Sequence, residues 1–156
     1  MSMFFKMGYR FSGYKALKKA FTVAPDIAMA ASYPAMKVAL DFLYHSIPPY
    51  PPPIGYKRTG RLGRGWETEI TVEKNRVKGW IGNDVPYAPW VVGRDYPGRV
   101  IDGKRMYQAR VHVDRWWQFH KVMAENRKEA WEKFTDVFWD DFLKAMNKEA
   151  RKARDE

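Results

Sequence analysis

The chain has no cysteine, which excludes disulfides and thiolate metal sites and permits a reducing compartment. It has no apolar run near the roughly 18 residues a membrane span needs. Its first residues, Met1 to Ser12, are aromatic and interrupted by Lys6 and Arg10. They lack the continuous apolar stretch and small-residue cleavage site of a secretory signal. No internal repeat is visible. Acidic residues are outnumbered, 18 Asp plus Glu against 28 Lys plus Arg, leaving a formal net charge of +10. Core-forming side chains are plentiful: 46% of the 156 residues are hydrophobic and 16% aromatic, too many for an intrinsically disordered chain. The length suits one domain, 1–156. These facts predict a soluble, basic, single-domain protein with no membrane partner.

The positive charge is uneven. Met1–Gly55 holds six basic and two acidic residues, and Tyr56–Arg110 holds twelve and six. Val111–Glu156 holds ten of each, so the excess belongs to the first two thirds. A field of this sign attracts nucleic acid, an acidic protein surface or anionic lipid, or it serves solubility alone.

Residues 1–12 read as a flexible arm and 13–46 as helical. Met29, Tyr33, Met36, Leu40 and Leu43 recur at alternating spacings of four and three, one apolar face of a helix from about Asp26 to Ser46. Asp26 after Pro25 is the expected N-cap, and Pro34 is expected to kink or split the helix. A shorter helix over Tyr14–Thr22 is expected before Pro25. Residues 47–55 are a proline-rich connector: IPPYPPPI favours extended polyproline geometry, either as a stiff spacer or as a ligand for an aromatic groove.

Residues 56–113 form the predicted β region. Glu67–Val72 is rich in β-branched residues, Lys74-Asn75 supplies a turn, and Arg76–Gly82 returns as the second strand of a hairpin. Tyr87–Val92 is a third candidate strand, held to an edge by Pro89. Gly93–Lys104 reads as a long mobile loop, and Ala109–Val113 as a fourth candidate strand. From Asp114, the expected cap, the helical period returns: Phe119, Met123, Ala130, Phe134, Val137 and Phe138 share a stripe that begins at Trp116 and ends with Phe142 and Met146. This predicts a helix within 114–150 of some 30 residues, roughly 45 Å long. Glu129 and Lys133 lie four apart on its other face. Its aromatic stripe is longer than a small sheet can cover, so part of the cover for Trp131, Phe138, Trp139 and Phe142 is expected from another subunit. The predicted architecture is α+β: an N-terminal helical region, a small antiparallel sheet of three to four strands, and a long C-terminal helix packed across it.

Signs of catalysis are missing. His45, His112 and His120 are not spaced as a ligand set, and no carboxylate completes a metal site. Gly60-Arg61-Leu62-Gly63-Arg64-Gly65 lacks the Lys-Ser/Thr of a phosphate-binding P-loop and precedes a strand. Asp140 and Asp141 diverge by about 100° on a helix and cannot share a proton. No serine sits in a nucleophile elbow. The expectation is a non-enzyme with no metal and no cofactor.

The informative segment is Tyr56–Trp66, YKRTGRLGRGW, in which Lys57, Arg58, Arg61 and Arg64 alternate with glycines. Such a loop can clamp phosphates, meet a neighbour's carboxylates, or be a solvated turn. Joined to RVKGWIGNDVPYAPWVVG, Gln108, His112, Arg115-Trp116 and a following helix, it resembles a family of tail-component proteins of long-tailed bacteriophages, also described as tail-completion or neck proteins. The resemblance spans about Ile47–Met146. It is strongest at Arg58-Thr59-Gly60-Arg61-Leu62, Asn83 and Val85-Pro86-Tyr87-Ala88. The loop Arg94–Met106 is longer than the compact form typical of the family.

The resemblance implies a structural virion protein, assembled in the host cytoplasm as a homo-oligomeric ring at the neck or upper tail and taking part in head–tail joining or tail completion. Its implied partners are further copies of itself, neighbouring neck and tail proteins, and genomic DNA passing through the lumen. Ring closure needs heterologous interfaces. Lys57, Arg58, Arg61 and Arg64, with Arg94, Arg99, Lys104 and Arg105, are the candidates for a subunit interface or a DNA-facing surface. The alternative is a basic nucleic-acid-binding protein, with Trp66 beside the arginines as a stacking platform for single strands. A nuclease would need clustered carboxylates, which the sequence does not offer.

Overall fold

The computed structural model describes residues 14–52, 59–74, 76–94, 99–101 and 103–155. The arm Met1–Ser12, Pro53–Gly55 of the connector, Lys57, Arg58 and the side chain of Arg99 lie outside the described residues.

The architecture is α+β. A first helix, α1 (Tyr14–His45), leads through the connector to a one-turn α2 (Arg61–Arg64). A hairpin of β1 (Trp66–Glu73) and β2 (Arg76–Asn83) follows, then α3 (Ala88–Val92). A second, smaller hairpin joins β3 (Arg99–Ile101) to β4 (Lys104–Met106), and a 3-10 turn at Arg110–His112 precedes α4 (Phe119–Asp155). The strands form two separate antiparallel ladders instead of one sheet.

Helix α1 corrects the expected pair of helices. It runs 32 residues with Pro25 and Pro34 inside it, so Asp26 is interior and caps nothing. An interior proline costs about 3 kcal/mol through a lost hydrogen bond and a ring clash. Burial on both sides of Pro34 offsets that cost. Ala31, Ala35 and Ala39 are 4%, 0% and 8% exposed and lie one above another, with Leu40 beside them. Small residues at four-residue spacing let α4 approach closely. Tyr33, placed on the apolar face by periodicity, is instead 47% exposed.

The hairpin forms as the alternation requires, with Glu73 opposite Arg76 and Trp66 opposite Asn83. Its outer face carries Glu67, Glu69, Glu73 and Lys78; Glu73 pairs with both Arg76 and Lys78. Its inner face lies on α1 at Gly79, where any added Cβ would strike Met36 and crowd Leu40. A side chain there needs Met36 to move, because its thioether and the tip of Leu40 already fill the space over Gly79.

Four further expectations are corrected. Tyr87–Val92 is helix, not strand: Ala88 N bonds to Val85 O at 2.9 Å, Trp90 N to Tyr87 O at 3.0 Å, and Pro89 occupies the first turn, where its missing N–H costs little. Ala109–Val113 contains the 3-10 turn instead of a fourth strand. Strand β3 arises inside Gly93–Lys104, where the sequence suggests only loop, and β4 begins at that segment's last residue. Finally, α4 starts at Phe119, because Asp114 takes a left-handed φ of 60° and ends any helical path there. Trp116 is therefore off the helix.

One cluster of buried side chains forms a head where α2, the start of β1 and α3 meet, and Ala31, Ala35, Ala39, Leu40, Val122 and Ala130 are buried along the two long helices. Leu62, Trp66, Val85, Ala88, Val91, Val92 and Trp116 form the head, with Ile47, Tyr50, Trp117 and Phe119 against them. A large apolar side chain buried this way contributes about 1.5–3 kcal/mol. Tyr50 of the connector points inward: Trp66 Nε1 donates to its hydroxyl at 2.9 Å and its ring stacks on Trp117. Burial raises the Tyr50 pKa, against the opposing effect of the Trp66 hydrogen bond. From this head α1 and α4 extend side by side and antiparallel, about 48 and 55 Å long. Phe119 anchors the first turn of α4 on Trp66, with ring centres 4.8 Å apart. Lys133 lies 5.0 Å over the Phe42 ring.

Candidate functional site

The residues that carry the family resemblance converge in the head, and their roles there are structural. Asn83 Nδ2 donates to Leu62 O at 2.7 Å while its Oδ1 accepts from Val85 N at 3.1 Å. One side chain thus ties α2 to the turn after β2. Asp84 N bonds to Gly65 O at 3.0 Å across the same junction. Gln108 is buried and donates to the carbonyls of Val91 and Trp116 at 2.8 and 3.1 Å. Arg115 reaches the carbonyl of Pro52 at 3.2 Å and holds the connector to the head.

The candidate basic residues do not form one patch. Arg61 and Arg64 are exposed on α2, and Arg64 donates to Thr59 O at 3.0 Å. Gly60, at φ 70°, starts this turn in the left-handed region that glycine favours. Arg61 lines a cavity of about 220 Å³ with Tyr50, Tyr87, His112 and Trp116. His112 has its pKa lowered, first by burial and then by the charge of Arg115. Arg94 lies at the end of α3 on the rim of a different, larger groove. Lys104 and Arg105 are exposed on β4. Among the described residues no three His, Cys, Asp or Glu side chains are grouped to hold a metal, and no helix is long and apolar enough to cross a membrane.

The four candidate packing residues on α4 do come together, joined by Phe134. Trp131–Phe134, Phe134–Phe138 and Phe138–Phe142 are stacked within 10° of parallel at 5.2, 5.9 and 5.6 Å. Trp139 meets Phe138 and Phe142 edge-on. Helical spacings of three and four make this ladder continuous. Trp131 remains 62% exposed and Trp139 53%, with Leu143 also 53% exposed beside them. Isolated exposed apolar residues are ordinary, but a contiguous aromatic strip marks an interaction surface.

The larger groove was not visible in the sequence. It holds about 620 Å³ between β2, α3 and the first turns of α4, with Trp66, Ile81, Val92, Met106, Phe119 and Met123 among its walls. His120 and Arg127 were its only local signal, being polar residues in the same helical row as Trp131. No protein-family model, curated protein or solved structure matches this chain.

Proposed function

We propose that the protein is a structural virion component of a tailed bacteriophage, acting without catalysis as a ring at the neck or upper tail in head–tail joining or tail completion. The observation that carries the reading is the stacked strip from Trp131 to Phe142, left half-open along a helix that extends well beyond the head. A lone subunit gains nothing from exposing such a strip, whereas a ring subunit buries it on its neighbour. The convergence of Leu62, Asn83, Val85, Ala88, Gln108 and Trp116 into one bonded head gives the residues of the resemblance a common purpose, supporting that surface.

Native mass spectrometry tests the reading, first on the chain alone and then with portal-proximal and tail-tube proteins. A closed ring, alone or with one partner, is expected. A monomer in every mixture would sink it.

The second reading, a nucleic-acid-binding protein, is favoured by exposed Arg61, Arg64, Lys104 and Arg105 in a chain of net charge +10. It requires DNA binding at low salt that weakens as salt rises. Trp66, proposed as a stacking platform, is 8% exposed and packed into the core, so it is not available to a base.

A further inference from the structure

The hairpin of β1 and β2 has two strands and therefore two edges. Among the described residues β1 pairs with β2 alone, and no backbone group outside the hairpin bonds to Glu67–Glu73. An open edge of that length is a template for another strand.

This edge carries a charge. Gly79 faces α1, so its cross-strand partner Ile70 and the alternate residues Thr68 and Val72 share that side, and Glu67, Glu69 and Glu73 take the other. Glu73 pairs with Arg76 and Lys78. Glu67 and Glu69 are exposed and form no ion pair among the described residues. On the α1 side Val72 is 57% exposed, so β1 leaves apolar surface uncovered there. The edge of β2 has the opposite sign, with Arg76 and Lys78 facing outward.

One segment of the chain matches this edge in pattern and charge. In Met1–Ser12 the odd positions hold Met3, Phe5, Met7, Tyr9 and Phe11, and the even ones Ser2, Lys6, Gly8, Arg10 and Ser12, with Phe4 the single exception. Period two is the signature of a strand with one apolar face. Laid along β1, such a strand puts its apolar side level with Ile70 and Val72, and Lys6 and Arg10 on the side of Glu67 and Glu69. Along β2 the same cations would meet Arg76 and Lys78.

A chain's own segment does not reach. Leu43 shares a groove wall with Trp66 and Ile81, and Met36 lies on Gly79, so Glu67 and Glu69 sit between the levels of Leu43 and Met36 on α1. Tyr14 is about 44 and 33 Å down the helix from those levels. Arg10 and Lys6 precede Tyr14 by four and eight residues, and so extend at most about 14 and 28 Å beyond it.

We propose that Met1–Ser12 of one copy adds as a third strand to the β1 edge of the next, with Lys6 and Arg10 beside Glu67 and Glu69. Segment and edge are different surfaces, so the contact is heterologous, the kind that ring closure requires. The inference rests on the reading of the protein as an assembly of its own copies, and it adds a second contact to the aromatic strip.

The test uses full chains and a fluorescein-labelled peptide of residues 1–13, with binding read by fluorescence anisotropy. Affinity is expected to fall as salt rises and to exceed that of a scrambled peptide by about tenfold. Glu67→Lys with Glu69→Lys should reverse the preference toward a peptide carrying Lys6→Glu and Arg10→Glu. Both glutamates are exposed, so circular dichroism should show that variant folded. Met7→Pro and Gly8→Pro peptides separate strand addition from charge attraction alone. Neighbouring strand residues present their N–H groups to opposite sides, so one of the two should abolish binding.

Full-chain variants then identify donor and acceptor. Chains with Lys6→Glu and Arg10→Glu, or with Glu67→Lys and Glu69→Lys, should each associate less than the native chain in native mass spectrometry. Mixing the two should restore association, because each segment then meets an edge of opposite charge. The inference is overturned if the scrambled peptide binds equally, if neither proline abolishes binding, or if mixing restores nothing. A closed ring that forms unchanged in both variants also overturns it and leaves the ring reading intact. Charge-dependent pairs or open chains with no closed ring support it and count against the ring.

Discussion

Gln118 Nε2 donates to Gln108 Oε1 at 3.0 Å, and both side chains are buried. Gln108 passes the connection on through its own amide to the carbonyls of Val91 and Trp116. Two glutamines thus join α3, the exit of the second hairpin and the start of α4, where no regular ladder could satisfy those carbonyls. Gln108→Leu removes the donor to the Val91 and Trp116 carbonyls and the acceptor for Gln118 Nε2. A loss of about 2–4 kcal/mol is expected, read in urea as a lower midpoint with unchanged slope. The double variant Gln108→Leu with Gln118→Leu should lose less than the sum of the two singles, because it removes both ends of the side-chain pair.

Two glycines should respond differently to alanine. At Gly79 the added methyl meets the end of Met36, a side chain able to swing aside, and the tip of Leu40. At Gly93 it meets the backbone carbonyl of Pro89, which cannot move without unwinding α3. Overpacking costs about 1–3 kcal/mol where neighbours relax. Gly79→Ala should fall within that range and Gly93→Ala beyond it, measured as paired thermal melts.

His112 gives the head a pH dependence of known sign. Burial and Arg115 lower its pKa in the folded protein below the ordinary value of 6.5. Between those two pKa values the unfolded chain binds more protons, so stability rises with pH there. Acidification from neutrality through 6.5 should therefore weaken the fold, with the loss levelling off below the lowered pKa. His112→Gln should flatten that part of the stability–pH curve. An unchanged slope in the variant would show that another group carries it.

The parts of the fold legible in sequence are those where one signal dominates. The β-branched run Glu67–Val72 and the Lys74-Asn75 turn signal the first hairpin, whose strands extend to Trp66–Glu73 and Arg76–Asn83. The α1 error came from reading Pro25 and Pro34 as breaks: Ala31, Ala35 and Ala39, buried on both sides of Pro34, have too little hydrophobicity to signal that the helix runs through. Val91 and Val92 suggest a strand by propensity, yet Pro89 and the turn at Val85 start a helix that buries both. Such tertiary override is common for short segments. The aromatic residues of α4 were legible as candidates for packing; their near-parallel stacking was not. The groove was hidden because its walls come from β2, α3 and α4, far apart in sequence.

Assembly and nucleic-acid binding separate on two variants. Trp131→Ser with Trp139→Ser alters side chains that are more than half exposed, so each should change stability by about 0.5–1.5 kcal/mol at most, chiefly through lost ring contacts. Arg61→Glu with Arg64→Glu reverses charge on α2 and, among the described residues, breaks the exposed Arg64–Thr59 bond. If the ring reading holds, native mass spectrometry should show the tryptophan variant folded but dispersed into smaller species. If the nucleic-acid reading holds, that variant should retain DNA affinity, while the arginine variant loses it and the salt dependence shrinks. A tryptophan variant that assembles normally would remove the strip from the subunit contact, and with it the main support for the ring.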